Sequence, residues 1–181
     1  MTRLLLAAFL LTGTPLEAQS PEILVEALNF ARAELARQGV GSDEEVVFDT
    51  RVAHSHRRDL ATSRESWSEA QLRMLTGSTD MKSGTLESVR KCTTLRSGTL
   101  SCTLRPTRAV VAATRPEVNG DVATVLVLMR FQPRTLDYSP TTQEPFEIHY
   151  LQNIRVELTR RSNGWTVTGH TMGPPGVSVD W

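Results

Sequence analysis

The amino-acid sequence predicts an α+β domain in which N-terminal helices pack on one face of a curved antiparallel sheet. Three observations support this class. Apolar residues recur at helical spacing early in the chain, they alternate with polar residues late in the chain, and strong turn sequences separate the alternating segments. Because the helical patterns come first and the strand patterns follow, we expect a meander of four to six strands.

The first helix is predicted to begin at Ser20-Pro21-Glu22, because Ser caps a helix, Pro suits its first position and an acid suits its first turn. Gly39 is predicted to end it. Its apolar face consists of Ile23, Leu24, Ala27, Leu28, Ala31 and Leu35. A second, short helix is predicted after Ser66, which would form a capping box with Glu69.

The segments on either side of the second helix have weaker patterns. Residues 46–52 have the composition of a short strand, whereas residues 53–66 are polar and poorly periodic. The latter segment is therefore predicted to be an irregular or partly helical connection. Residues 76–85 are rich in Gly, Ser and Thr, which predicts a loop.

The second half of the chain is predicted to consist of strands. Asn119-Gly120-Asp121 is a hairpin turn sequence, and residues 122–131 are apolar at almost every position, as in a central strand covered on both faces. Residues 133–145 form a polar loop. Residues 146–161 then alternate, which predicts a long half-buried strand. Its inward-facing side chains are predicted to be Phe146, Ile148, Tyr150, Ile154, Val156 and Leu158.

The last hairpin turns at Ser162-Asn163-Gly164. Trp165 and Val167 share the inward-facing parity of the returning strand, and His170 falls on the other parity. The hairpin is therefore predicted to be a feature of the fold, and His170 is an outside candidate for a functional role.

The N-terminus has the pattern of a secretory signal peptide. Arg3 precedes an apolar run from Leu4 to Leu11, and a small-residue cleavage site ends at Ala18. A membrane anchor is the alternative, but a span needs about 20 apolar residues. We therefore expect a signal peptide at residues 1–18 and a single α+β domain at residues 19–181, exported to the periplasm or the extracellular space.

The charge of the chain bears on its partners, and its two cysteines bear on its covalent structure. The chain has 20 basic and 20 acidic side chains, so no large field attracts nucleic acid. In an oxidising compartment, Cys92 and Cys102 are expected to form a disulfide. Their spacing fits a hairpin with Gly98 in the left-handed position of its loop, although a helical approach through residues 85–91 is also compatible with the bond.

Two features resemble the cone-shaped nuclear transport factor 2-like (NTF2-like) superfamily, which includes SnoaL-type and DUF4440-type domains. They are Val46-Val47-Phe48-Asp49 after the first helix, and the final hairpin with Trp165-Thr166-Val167 after its turn. The resemblance implies a cone of helices and sheet; a cystatin-like arrangement is the alternative. The superfamily contains isomerases, cyclases and dehydratases as well as non-catalytic binding modules, so it does not by itself select a function.

One candidate site is a metal site. In an extended strand, His54 and His56 point to the same side and are candidate metal ligands together with Asp59. The neighbouring Arg57 and Arg58 favour an exposed polar loop instead.

A second candidate site is an acid/base pair. Asp49 and His149 are candidate catalytic residues if both face the interior of a cone. The polar parity of His149 favours exposure to solvent instead.

The sequence contains none of the usual signatures of nucleophilic hydrolases, zinc proteases, phosphate loops or dinucleotide sites. We therefore expect an exported, non-catalytic binding module without a cofactor, which binds a small apolar molecule or a protein partner between its helices and its sheet. The alternative is a cofactor-free isomerase, hydratase or cyclase. The patterns leave the oligomeric state open, with a homodimer as one possibility.

Overall fold

The structure is a computed structural model that describes residues 20–56, 59–96, 98, 100–104, 106–132, 136–138, 145–147, 149–174 and 176–178. The predicted signal peptide lies outside these residues. The elements, in chain order, are α1 (Ser20–Arg37), β1 (Glu45–Asp49), β2 (Arg51–His56), β3 (Asp59–Ser66), α2 (Glu69–Thr79), β4 (Lys82–Gly84), α3 (Leu86–Val89), β5 (Lys91–Thr94), β6 (Leu100–Thr103), β7 (Thr107–Ala113), β8 (Glu117–Asn119), β9 (Val122–Phe131), β10 (Leu136–Tyr138), β11 (Pro145–Glu147), β12 (His149–Arg161), β13 (Gly164–Met172) and β14 (Gly176–Ser178).

The main sheet is mixed rather than wholly antiparallel. Its strand order is β13-β12-β9-β7-β1-β4, with β14 also on β12 and β8 also on β9. The antiparallel prediction is correct from β13 to β7 and wrong beyond it, because β1 is parallel to both β7 and β4. The α+β class is confirmed.

The helices α1 and α2 cover one face of this sheet, which we call the helix face. All six residues of the predicted apolar face of α1 are fully buried. They pack against side chains from five strands of the main sheet. These side chains include Val46, Phe48, Val111, Val125, Val127, Ile154 and Trp165.

The long strand β12 follows the predicted alternation over much of its length. Ile154, Val156 and Leu158 are fully buried on the helix face. The turn that follows places Gly164 at a φ of 117°, a left-handed conformation that favours glycine. A β-bulge then shifts the register, because Glu157 pairs with Gly169 whereas Leu158 pairs with Val167.

The bulge corrects the prediction for His170. The extra residue in β13, Thr168, inverts the parity, so His170 lies opposite the inward-facing Val156. Its ring centroid is 4.9 Å from that of Phe30 on α1. His170 therefore lies at the border of the helix face, rather than on the opposite face of the sheet.

Three local predictions in the first half of the chain are wrong. The segment predicted to be irregular forms the antiparallel hairpin β2–β3, and part of the predicted loop at residues 76–85 forms β4, which pairs with β1. The capping box of α2 consists of Ser68 and Gln71, two residues beyond the predicted Ser66 and Glu69.

The other face of the sheet, the back face, carries Val47, Asp49, Val110, Arg130 and His149. Part of it is covered by α3, which adds Leu86 to a small apolar cluster, and by Leu104, the residue that follows β6. The hairpin β2–β3 contributes Ala53 to another. Within the described ranges, no helix is long and apolar enough to cross a membrane.

Candidate functional site

Asp49, one of the two candidate catalytic residues, lies at the end of β1 on the back face and is fully buried. Its carboxylate accepts hydrogen bonds from the backbone, Nε and Nη2 of Arg51 at 3.0, 3.0 and 2.9 Å, and from the backbone N–H of Leu86 at 3.4 Å. Arg51 also bonds Glu87 on α3 at 3.1 Å. This network joins β1 to α3 and uses both oxygens of Asp49.

The network changes the electrostatics of the arginines nearby. The hydrogen bond to Asp49 raises the pKa of Arg51 above its ordinary value. Burial lowers the pKa of Arg130 near the end of β9, and the carboxylates of Asp49 and Glu87 partly oppose that effect. Both guanidinium groups stay charged, since the ordinary pKa of Arg lies far above neutral pH.

His149, the other candidate catalytic residue, is buried at the start of β12, which corrects the expectation that it faces solvent. Its Nε2 atom is 2.6 Å from the carbonyl oxygen of Cys102 and 2.9 Å from Nε2 of Gln132. The Oε1 atom of Gln132 accepts a hydrogen bond from the backbone of Leu104 at 2.9 Å. His149 and Gln132 therefore attach β6 to the main sheet.

The structure does not bring Asp49 and His149 together. They lie on β1 and β12, with β7 and β9 between them. Three strand spacings separate the two strands by about 14 Å across the sheet. Direct proton transfer between these two groups therefore has no geometric basis.

The candidate metal ligands lie on the β2–β3 hairpin. His56 and Asp59 are paired across its tip, and the side chain of His54 is exposed. The side chains of His56 and Asp59 are outside the described part of the chain. Among the side chains that are described, no three His, Cys, Asp or Glu residues are close enough to hold a metal ion.

Cys92 and Cys102 are paired directly across the β5–β6 hairpin, and their sulfur atoms are at disulfide distance, 2.12 Å apart. Gly98 in the loop between them has a φ of 82°, as the spacing predicts. The predicted helical approach is present as α3, so both alternatives occur together. The bonded pair is compatible with an exported protein.

An open cleft that the sequence did not reveal lies between α1, α2 and the β12–β13 turn, and we call it the α1–α2 cleft. Its volume is about 500 Å³. Val25, Met74 and Trp165 supply its apolar surface, and the exposed Glu22 and Glu26 supply its charge. The remaining lining residues are Ser78, Asn163 and Gly164.

A second open cavity, of about 410 Å³, lies next to β1 and β4 and has an acidic lining. Glu44 forms an ion pair with Arg108 at 3.1 Å. Glu45 bonds Lys82 and accepts a hydrogen bond from Thr107 at 2.7 Å. Protein contacts therefore account for these two carboxylates without a ligand.

Comparison with protein-family models, with curated proteins and with solved structures gives no match for this chain. The resemblance to the NTF2-like superfamily therefore stays a prediction from the residues.

Sequence reasoning found Asp49 and His149 but missed the residues that form hydrogen bonds with their side chains. Arg51 follows Asp49 by two positions, which in an extended chain places both on one side, and this spacing could have revealed the pair. Gln132 has no comparable signal, because its pairing with His149 depends on the register of β9 and β12.

Proposed function

We propose that the chain is an exported, disulfide-bonded binding module without catalytic function, and that it binds an extended segment of a protein in the α1–α2 cleft. The observation that carries the proposal is the cleft itself: an apolar surface beside two exposed carboxylates, open to solvent. The two residues best suited to acid/base chemistry support the absence of catalysis, because Asp49 and His149 are occupied by structural contacts.

The shape of the interior favours a protein segment over a small apolar molecule. Small-molecule sites enclose most of the surface of their ligand. Here the space between helices and sheet is filled by fully buried side chains, and the cleft is open along one side. These interior side chains include Phe48, Leu28, Met129 and Ile154.

The charge of the cleft defines the segment that it fits. No Lys or Arg is among the described residues that line it, whereas Glu22 and Glu26 are. A segment with an apolar side chain next to a positive charge satisfies both the apolar surface and these carboxylates. Ion pairs between the segment and these carboxylates would favour specificity, and they would weaken at high salt.

The test compares two nine-residue peptides that differ only in charge. Each has a central Met, flanked by Arg in one peptide and by Glu in the other, and binding is followed by NMR shifts of the protein amides. We expect the Arg peptide to bind about tenfold more tightly, with shifts concentrated at Val25, Met74 and Trp165.

The double substitution Glu22→Gln/Glu26→Gln should remove the preference for the Arg peptide. Glu117→Gln, an exposed acid on β8, is the matched control and should leave it unchanged. Equal binding of both peptides, or shifts away from the cleft, would contradict the proposal. So would turnover of a lipophilic substrate that Asp49→Asn abolishes in a folded protein.

A further inference from the structure

The strand β13 forms one edge of the main sheet. Among the described residues it pairs with β12 alone, so one side of its backbone faces outward. Native edge strands are commonly protected by short length, Lys, Pro or bulges. The nine residues of β13 contain no charged residue and no Pro, and the bulge at Thr168 is the single such device within the strand.

The two ends of β13 have complementary surfaces. Gly164 and Trp165 at its start line the α1–α2 cleft. Met172 at its end is 40% exposed, one of two large apolar side chains so exposed in the described part of the chain. Met172 lies opposite Ile154, so it emerges on the helix face, which carries the two helices that line the cleft.

We infer that β13 pairs antiparallel with β13 of a second copy of this chain, and that Met172 of each copy occupies the α1–α2 cleft of the other. The inference rests on the proposed function and names the partner. The segment around Met172 satisfies the apolar surface of the cleft and contributes no Lys or Arg to Glu22 and Glu26. A two-fold axis perpendicular to the sheet, between the two β13 strands, brings the start of one strand beside the end of the other. The same contact therefore forms twice. The paired segment spans about 30 Å, enough for a continuous sheet through both copies.

The charges of β13 permit this self-pairing. Two identical edges with Lys or Glu would place like charges opposite one another. The segment 164–172 has His170 as its single titratable side chain and no acid. Thus neither the pairing of the edges nor the approach of Met172 to Glu22 and Glu26 brings carboxylates together.

The test is the self-association of the exported, oxidised protein, measured by sedimentation velocity over a wide concentration range. We expect a concentration-dependent dimer. The double substitution Thr166→Lys/Thr171→Lys, at exposed positions on β13, should raise its dissociation constant at least about tenfold by like-charge repulsion. Met172→Ser should raise it by about the same factor, because the side chain that fills the cleft is lost.

Matched controls lie away from the edge. Val122→Ser removes the other exposed large apolar side chain, which is 50% exposed, and Thr93→Lys adds a charge on the disulfide hairpin. Both should leave the dissociation constant unchanged. A monomer at every concentration, or a dimer that the β13 substitutions do not weaken, overturns the inference. A urea unfolding curve for each variant confirms that a change in association does not come from unfolding.

A contact inside the dimer tests the geometry directly. In a mixture of labelled and unlabelled copies, the Met172 methyl group of one copy should show NOEs to the Trp165 indole of the other. Dimers without this contact overturn the pairing proposed here.

The variant Thr166→Lys/Thr171→Lys also separates this inference from the proposed function. As a monomer, it should still bind the Arg peptide in its α1–α2 cleft. Peptide binding without a wild-type dimer contradicts the inference alone. Failure of this folded monomer to bind the peptide contradicts the proposed function.

Discussion

The two edges of the main sheet differ in length, charge and in how their polar groups are used. The β4 edge has three residues, and Lys82 on it bonds Glu45 of the neighbouring strand. The chain then leaves this edge at Thr85, which caps α3. The β13 edge has nine residues and no charge. Short length and charge protect the first edge from pairing, and the second lacks both devices.

From this difference and the inferred pairing of β13, we expect the two edges of the sheet to matter for different properties, the β4 edge for stability and the β13 edge for association. Next to β4, the buried Asp49 is bonded within the chain, and the backbone of Thr50 donates to the carbonyl of Gly84 at 2.8 Å. Next to β13, the polar side chains are mostly exposed threonines. We therefore expect substitutions near β4 to lower the free energy of unfolding, and substitutions on β13 to weaken dimerisation instead.

The largest expected effect on stability is that of Asp49→Asn. This substitution removes the charge that balances Arg51, whose side chain is only 23% exposed, and breaks a bidentate ion pair. Removing one partner of a buried pair costs about 3–5 kcal/mol, and we expect about 3 kcal/mol because Arg51 keeps some contact with water. Urea unfolding measures the loss.

Glu87→Gln is the matched control for Asp49→Asn, since Glu87 bonds the same guanidinium but is 58% exposed. It should cost less than about 1 kcal/mol. If both substitutions cost the same, the β4 side is not held by the buried carboxylate, and the distinction between the two edges fails. The dissociation constant of the folded dimer should be unchanged in either variant.

The features that could be predicted from the sequence are those with a local signal. Helical spacing identified α1, alternation identified the inward-facing Ile154 and Val156, and turn sequences identified the hairpins at Gly120 and Gly164. The spacing of the two cysteines gave their pairing. Each of these depends on neighbours within a few residues along the chain.

The missed features depend on contacts that are distant in sequence. The parallel pairing of β1 with β4 and β7 leaves no periodic mark, and β4 is too short to have a pattern. His149 has a polar parity, but β6 and Gln132 bury it. A single bulge at Thr168 moved His170 to the other face. For the site, the sequence could suggest Asp49 and His149 but not their partners.

Substitution of one glycine on each edge provides a matched test of the two edges, and the expected effect on the β4 edge is of intermediate size. In Gly84→Ala on β4, the new Cβ would lie 3.1 Å from Cγ1 of the buried Val47 and 3.2 Å from Oγ of Ser88. Neither can move freely, because Val47 is packed and Ser88 forms the capping box of α3. We expect a loss of about 1–2 kcal/mol by overpacking, measured by urea unfolding.

In Gly169→Ala on β13, the new Cβ would lie 3.2 Å from Oε2 of Glu157. That carboxylate is at the end of a half-exposed, flexible side chain, which can swing away. The cost should be below about 0.5 kcal/mol. If Gly169→Ala proves as costly as Gly84→Ala, β13 is as tightly packed as β4, and the contrast between the edges must be abandoned.

A further small effect is the pH dependence that Glu45 gives to the β4 edge. The hydrogen bond from Lys82, followed by that from Thr107, lowers the pKa of Glu45 in the folded protein. A carboxyl with a lowered folded pKa stabilises the fold above its unfolded pKa of about 4.3, and this contribution is lost as the pH falls through the folded value. Because Lys82 is largely exposed, the contribution should be only about 0.5 kcal/mol.

Glu45→Gln should therefore show a smaller loss of unfolding free energy between neutral pH and acid than the wild type. Lys82→Met removes the largest cause of the lowered pKa and should reduce the acid-dependent loss similarly. The double variant should add little to either single one, because both remove the same interaction. If plots of unfolding free energy against pH stay parallel for Glu45→Gln and the wild type through acid pH, this ion pair does not stabilise the edge. In that case the short length of β4, rather than its charge, is what distinguishes it from β13.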